Sequence, residues 1–276
     1  MDIGQVQTAQ EAKRNVAYLK ALTTLLYQMA DDDLVISHRG SEWLGLVPHI
    51  EEDVAYSSIT QNTMGHALIL YEMLQELGEG KADDIAYLRK PEEFRHAVLV
   101  ERPNGEGLYS ENPDYDWAYA VVRNLAYETF KRIRLQAVTR SSYQPLALAA
   151  QKMLREQFYH LQHWQVWIKQ LAGATEESTN RLNEAVNKVW ADVDSLFDLG
   201  AEEEQMVAYG LIQSAEVTKK AWLNDMKEIL QDAGLNWPGD PSPVQNSGRD
   251  GTHSEAFEAA LAQLSEVYKT DPAALW

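Results

Sequence analysis

Cysteine is absent from all 276 residues. That absence removes disulfides, thiolate zinc sites, iron–sulfur clusters and cysteine nucleophiles together. Long apolar runs are absent too: none approaches the roughly 18 residues expected of a membrane span. Basic residues are few. Against 42 Asp+Glu stand 24 Lys+Arg, giving a net charge of -18 and a pI near 4.7. Nucleic acid and anionic membranes should repel such a chain, so neither is expected as a partner. No Gly-rich phosphate loop, no Gly-x-Ser-x-Gly and no HExxH occurs. The opening Met1-Asp-Ile-Gly-Gln-Val is polar and lacks a basic-then-apolar leader pattern, so a cytoplasmic location is expected.

What is present is apolar residues at helical spacing. Hydrophobic residues make up 45%, as in a globular chain. Strand-like alternation is scarce, and Ala, Leu, Glu, Gln and Lys dominate. The spacing predicts helix one from about Glu11 to Leu46, bent near Gly40, with Val16, Leu19, Leu22, Leu26 and Met29 as its stripe. Pro48 marks a turn. Helix two is predicted from about Glu51 to Leu77, closed by Gly78-Glu-Gly80. Residues 81–114 read as a long crossover, with turn signals at Arg102-Pro-Asn-Gly105 and Asn112-Pro-Asp114. Helix three follows from about Asp116 to Val138. Helix four runs from about Leu146 to Leu171, entered through Pro145. Further helices are predicted at about Glu177–Phe197, Met206–Asp232 and Ser254–Tyr268, with a Pro/Gly/Ser loop at 236–252 and a terminal Trp276. Two hairpins joined by one long crossover is the ferritin-like connectivity. The expected fold is therefore an all-α, ferritin-like four-helix bundle within a single domain spanning 1–276. Its core bundle is about 11–172, and its C-terminal helical extension about 173–276.

Two half-motifs carry the chemistry. Thr63-Met-Gly-His66 and Gln157-Phe-Tyr-His160 each read as a Glu-x-x-His whose Glu is replaced. In di-iron four-helix bundles, two helices supply Glu-x-x-His and the other two supply one carboxylate each. Asp33 and His66 lie about 16 residues either side of a turn near residue 49 or 50. Glu128 and His160 lie about 16 either side of Gln144. At 1.5 Å per residue, both hairpins set a carboxylate opposite a histidine roughly 24 Å from the turn. Thr63 and Gln157 are neutral and make no plausible bridge between two iron ions. Asp33, His66, Glu128 and His160 could hold one divalent metal. They could also form a buried charge-paired network without one, which the lost charge favours. Glu156, one residue from a ligand position, should point about 100° away.

Other candidates read more blandly. Lys131, Arg132 and Arg134 are expected on a solvated helix face; a contact for a phosphate-bearing ligand or an acidic partner is the sharper alternative. His163 could extend the cluster, though a partly exposed or capping role is expected. His49 and His38 read as turn and surface residues. Of the eight tryptophans, Trp164, Trp167, Trp190 and Trp222 fall at apolar helical positions, where core packing comes first and partner anchoring second.

Several stretches together resemble the phenylacetyl-CoA epoxidase family, a multicomponent bacterial oxygenase. They are Leu34-Val-Ile-Ser37 with Gly40-Ser-Glu-Trp43, Leu99-Val-Glu-Arg-Pro-Asn-Gly105, Glu156-Gln-Phe-Tyr-His160, Ala185-Val-Asn-Lys-Val-Trp190, and Gly251-Thr-His-Ser-Glu255 through to Trp276. The likeness covers nearly the whole chain and is strongest to the family's non-catalytic, structural C-type subunits. The bundle half is also similar to the paralogous di-iron A-type subunits, around Gln61-Asn-Thr-Met-Gly-His66, Arg140-Ser-Ser-Tyr-Gln-Pro145 and Glu156-Gln-Phe-Tyr-His160.

By that resemblance Asp33 and Glu128 occupy single-carboxylate ligand positions, His66 and His160 histidine positions, and Thr63 and Gln157 the lost Glu positions. It implies no catalytic residue and no metal in this chain, with the di-iron centre in a partner subunit. It also implies a hetero-oligomer, with further epoxidase subunits and a reductase, forming the ring-1,2-epoxide of phenylacetyl-CoA from oxygen and NADPH in aerobic phenylacetate degradation. Two other readings remain open here: a free-standing ferritin-like metalloenzyme with a reduced metal site, and a ferritin-like storage protein.

Overall fold

The computed structural model describes residues 4–109 and 111–274. Met1–Ile3 and the terminal Trp276 lie outside the described residues. In chain order the helices are α1 (Ala9–Ala12), α2 (Val16–Ser41), α3 (Ile50–Leu77), α4 (Ala82–Tyr87) and α5 (Val98–Glu101). A two-stranded antiparallel sheet follows, β1 (Gly105–Leu108) with β2 (Glu111–Tyr115). Then come α6 (Trp117–Val138), α7 (Gln144–Ala172), α8 (Glu176–Asp192), α9 (Glu203–Ala208), α10 (Ala215–Asp232) and α11 (Glu255–Thr270), with 3-10 turns between some of them.

The fold is all-α and ferritin-like. α2 packs along α3, and α6 along α7, as the two most extensive helix pairs. α8 and α10 cover α6, while α11 lies against α4. α2 is buried on every side from Met29 to Gly40, so it is the central helix rather than an amphipathic surface one. Gly40 sits one residue before its end. A Cβ there would lie 2.6 Å from Thr60 Oγ1, so glycine permits the close approach of α3 rather than a bend.

The predicted helices exist, with boundaries corrected by local chemistry. Helix one is broken because Asn15 caps α2, its side chain accepting from the Ala17 and Tyr18 amides at 3.1 Å each. The Met206–Asp232 helix is two, separated by Gly210 at φ 65 and restarted at the Ser214 cap. α8 ends at Asp192 in a 3-10 turn rather than continuing to Phe197. The crossover holds α4, α5 and the hairpin, which the alternation of residues did not announce. In the hairpin Gly107 has φ 79, and a Cβ there would lie 2.6 Å from the Asn112 carbonyl oxygen, so only glycine serves. Asn112-Pro-Asp114 falls inside β2, at a register irregularity, rather than in a turn.

Candidate functional site: a buried carboxylate–histidine–lysine centre

α2, α3, α6 and α7 each point polar side chains inward. Asp33, Thr63, His66, Glu128, Gln157 and His160 are each no more than 2% exposed. A fully apolar choice at these positions would stabilise the core better, because each buried polar atom needs a partner.

His160 Nδ1 lies 3.8 Å from Glu128 Oε1, so the second hairpin brings its predicted pair together. Burial pushes the Glu128 carboxyl up, but His160, Lys131 and Gln157 outweigh it and hold the group below the usual range. The Gln157 amide donates to the Glu128 backbone carbonyl at 2.8 Å, so it braces α7 on α6. The two imidazole rings stack loosely, 6.3 Å between centroids.

The first hairpin differs from expectation. Asp33 engages α6 instead of His66. Tyr127 donates to its Oδ1 at 2.5 Å, and Lys131 Nζ pairs with the same oxygen at 2.8 Å. Burial nevertheless pushes the Asp33 carboxyl up, despite Lys131 and Arg134. His66 turns to Glu156, Nε2 to Oε2 at 2.8 Å. Glu156 therefore does not point away from the cluster; its side chain is long enough to reach back across the helix surface. Burial, with Lys131 and His160 beside it, keeps His66 neutral, so its single ring proton sits on Nε2 facing Glu156. That leaves His66 Nδ1 buried without a protein partner, along with Glu128 Oε2, Gln157 Oε1 and His160 Nδ1.

Lys131 is the largest correction. Read from the sequence as a solvated charge, it is 1% exposed at the bundle centre. Arg134 is 3% exposed and pairs with Asp32 at 2.6 Å. Only Arg132 of the trio lies nearer solvent, pairing with Asp225 of α10. His38 is also buried, with its ring neutralised by burial and Arg39, rather than a surface residue. His163 Nε2 donates to Glu52 Oε1 at 2.9 Å, and Trp167 donates to the other oxygen of that carboxylate at 2.6 Å. His49 is exposed at the N-terminus of α3, as a turn residue should be.

The run Asp31-Asp-Asp33 is wholly buried, and each member holds a different part of the chain. Asp31 accepts from Tyr71 at 2.6 Å and the Arg95 amide at 2.7 Å, and pairs with Arg89. Asp32 pairs with Arg134 and Arg249 and accepts from the Ala97 amide at 2.8 Å. A second cluster missed in the sequence lies in the crossover, where His96, Glu101 and His253 meet. Separations of many residues hide such contacts. The apolar stretch that follows the three acids, Leu34-Val-Ile, was the available signal that this helix is buried all round.

Asp32 yields a first prediction. Burial raises its carboxyl, but the two guanidinium groups outweigh it and the pKa is lowered. A lowered folded value means stability present above the unfolded carboxylate range, near 3.9, and lost as the pH falls below it. Arg249→Met removes one of the two cations from a fully buried carboxylate. It should cost about 3–5 kcal/mol in urea unfolding at pH 7. A loss below about 1 kcal/mol would show that Arg134 alone suffices.

The helices and this centre define an all-α, ferritin-like protein with a buried polar core. The chain belongs to the family described as "Phenylacetic acid catabolic protein", whose family model matches residues 4–276. It is 26% identical over 259 residues to the C-type subunit of the 1,2-phenylacetyl-CoA epoxidase of Escherichia coli (strain K12), covering 94% of this chain and 100% of that protein. It is 24% identical over 174 residues to the A-type subunit of the same enzyme, covering 63% of this chain and 53% of that protein. The resemblance read from the sequence is thus upheld, with full-length similarity to one type and partial similarity to the other. Among the described residues no helix is long and apolar enough to cross a membrane.

Proposed function

We propose that this chain is a non-catalytic, structural subunit of a multicomponent oxygenase that epoxidises the ring of phenylacetyl-CoA, working as one ferritin-like domain beside a di-iron catalytic subunit. The observation that carries this reading is Lys131. Its ammonium pairs with Asp33 at 2.8 Å in the centre of the bundle, where a di-iron protein keeps its cations. The donor set does not suit two iron ions. Thr63 and Gln157 supply no bridging carboxylate, and Gln157 is committed to the Glu128 carbonyl. A fixed positive charge beside the remaining carboxylates repels a second cation. Asp33, His66, Glu128 and His160 are, on this reading, vestigial ligand positions retained as a polar network. Retention of so many unpartnered polar atoms is easier to understand as inheritance from a metal-binding ancestor than as selection for stability.

The test is ferrous loading under anaerobic conditions, followed by desalting. No iron should remain that is lost again on His66→Ala or His160→Ala. Iron that both substitutions release would overturn the reading and favour a metalloenzyme.

An interface with the catalytic subunit has a candidate face. Phe158 and Tyr159 of α7 are 62% and 69% exposed, their rings edge to face with centroids 5.3 Å apart, with Leu148 and Val166 exposed on the same helix and Leu68 on α3. Exposed adjacent aromatics are the usual anchors of protein interfaces. Phe158→Ala with Tyr159→Ala should weaken the affinity for a di-iron, A-type partner by about 30-fold or more. Calorimetric titration measures it, with circular dichroism unchanged. An affinity within about threefold of the parent would move the interface elsewhere.

A further inference from the structure

α7 differs from α3, α8, α10 and α11 in the sign of its exposed charge. The chain carries 42 Asp+Glu against 24 Lys+Arg. The other four helices each expose acids, Glu72, Glu184, Glu228 and Glu258 among them. α7 exposes none, and its exposed charges are Lys152, Arg155 and Lys169. Lys169 pairs with Asp232 at 3.8 Å. Among the described residues neither Lys152 nor Arg155 has an ion-pair partner.

The one acid of α7, Glu156, lies four residues after Lys152, a spacing at which opposite charges meet on a helix surface. That pair does not close. Glu156 turns instead to His66 of α3, at 2.8 Å. The helix thus withdraws its own carboxylate and leaves Lys152 without a counter-charge. The exposed positions also fall on a line. Leu148, Lys152, Arg155, Tyr159, Gln162 and Val166 recur at alternating intervals of four and three, the 3.5-residue period of a seam between two helices. At 1.5 Å per residue this seam is about 27 Å long. Phe158 flanks it beside Tyr159. Aromatic rings next to an arginine are the composition of an interface centre rather than of a solvated face.

We propose that the outer seam of α7 receives one helix of the catalytic partner, laid along it at a shallow angle, with Asp or Glu residues opposite Lys152 and Arg155. This rests on the proposed pairing with a di-iron, A-type subunit and adds the shape and charge of what docks. Ridges spaced by three and by four residues interlock at about 20°, so the two helices stay in contact over several turns. Leu148 and Val166 bracket the seam, Phe158 and Tyr159 supply its anchors, and the two cations between them select an acidic strip. A second copy of α7 suits the seam poorly, because it would bring further cations and no exposed acid. Charge complementarity of this kind governs encounter and register more than raw affinity.

The test measures association of the full chain with the di-iron, A-type subunit, by stopped-flow and calorimetry at two ionic strengths. Lys152→Glu with Arg155→Glu should weaken the affinity by about 30-fold or more near an ionic strength of about 0.05 M, chiefly through slower association. The effect should shrink near about 0.5 M, where exposed charges are screened. Lys220→Glu with Lys227→Glu on α10 changes the net charge equally, away from the seam, and should stay within about threefold of the parent. All four residues are exposed, so the fold should be kept, as circular dichroism checks. In the complex a carbodiimide, which joins an amine to a carboxylate with loss of water, should link Lys152 to an Asp or Glu in a helix of the partner. A reversed seam pair that binds within about threefold of the parent, while Phe158→Ala with Tyr159→Ala binds about 30-fold more weakly, overturns the acidic helix and leaves the pairing standing. Equal weakening by the α10 pair also overturns it, by assigning the effect to total charge. Absence of any complex with the parent chain overturns the pairing itself, and this proposal with it.

Discussion

Replacing Lys131 with Met will cost about 3–5 kcal/mol of folding stability at pH 7, because it leaves the Asp33 carboxylate buried without its ammonium. Methionine matches the lysine stem in length, so packing changes little and the loss reports charge. The pH dependence has a definite sign. The folded Asp33 pKa lies above its ordinary value, burial being the dominant cause. A raised carboxyl pKa means that stability is greatest below the unfolded value and falls as the pH rises through the folded one. Without Lys131 the folded value rises further. The variant's deficit should therefore be largest near neutrality and shrink as the pH falls toward the carboxylate range.

Asp33→Asn in the same chain should recover most of the loss, since a neutral pair removes the unpaired charge and retains an acceptor for Tyr127. Urea unfolding of the parent, both single variants and the double variant closes the cycle. A single-variant loss below about 1 kcal/mol would mean that Asp33 is solvated or protonated in the folded chain. The role of Lys131 as the stand-in for a metal's charge would then fall.

The helices were legible because their signals are local. Apolar spacing, Gly78 at the end of α3 and Pro145 at the start of α7 each act within one or two turns. The break at Asn15 was also local. It was overrun because the apolar stripe continues through it. The bundle centre was half legible. Its residues could be placed by helical period and distance from the turns, and Glu128 does meet His160. Which carboxylate meets which cation could not be read, because that depends on rotamers and on neighbouring helices. Lys131 shows the reason. A lysine among Arg132 and Arg134 looks solvated until α2 is seen to present buried acids to that face. His253, Arg249 and Glu101 were invisible for a further reason: the loop that carries the first two returns to the core from more than a hundred residues away.

Placing Glu at the two positions proposed to have lost it tests the proposed descent from a di-iron site most severely. Thr63→Glu with Gln157→Glu restores the two Glu-x-x-His motifs, but it also removes the amide that braces α7 on Glu128 and buries two new carboxylates beside one lysine. The double variant should lose several kcal/mol, since Lys131 already pairs with Asp33 and neither added carboxylate finds a cation, and it should gain no iron, since the ammonium stands in the cation position. Adding Lys131→Ala vacates the centre. The triple variant then carries four carboxylates and two histidines, with the net negative charge that two ferrous ions neutralise. It should be the least stable of the series when metal-free. After anaerobic loading it should retain about two ferrous ions more than the parent, with iron-dependent recovery of stability. Iron taken up by the double variant while Lys131 is present would show that the lysine does not occupy the cation position. A stable, iron-free triple variant would show that positions 63 and 157 do not converge with Asp33 and Glu128, and the descent of this centre from a di-iron site would have to be abandoned.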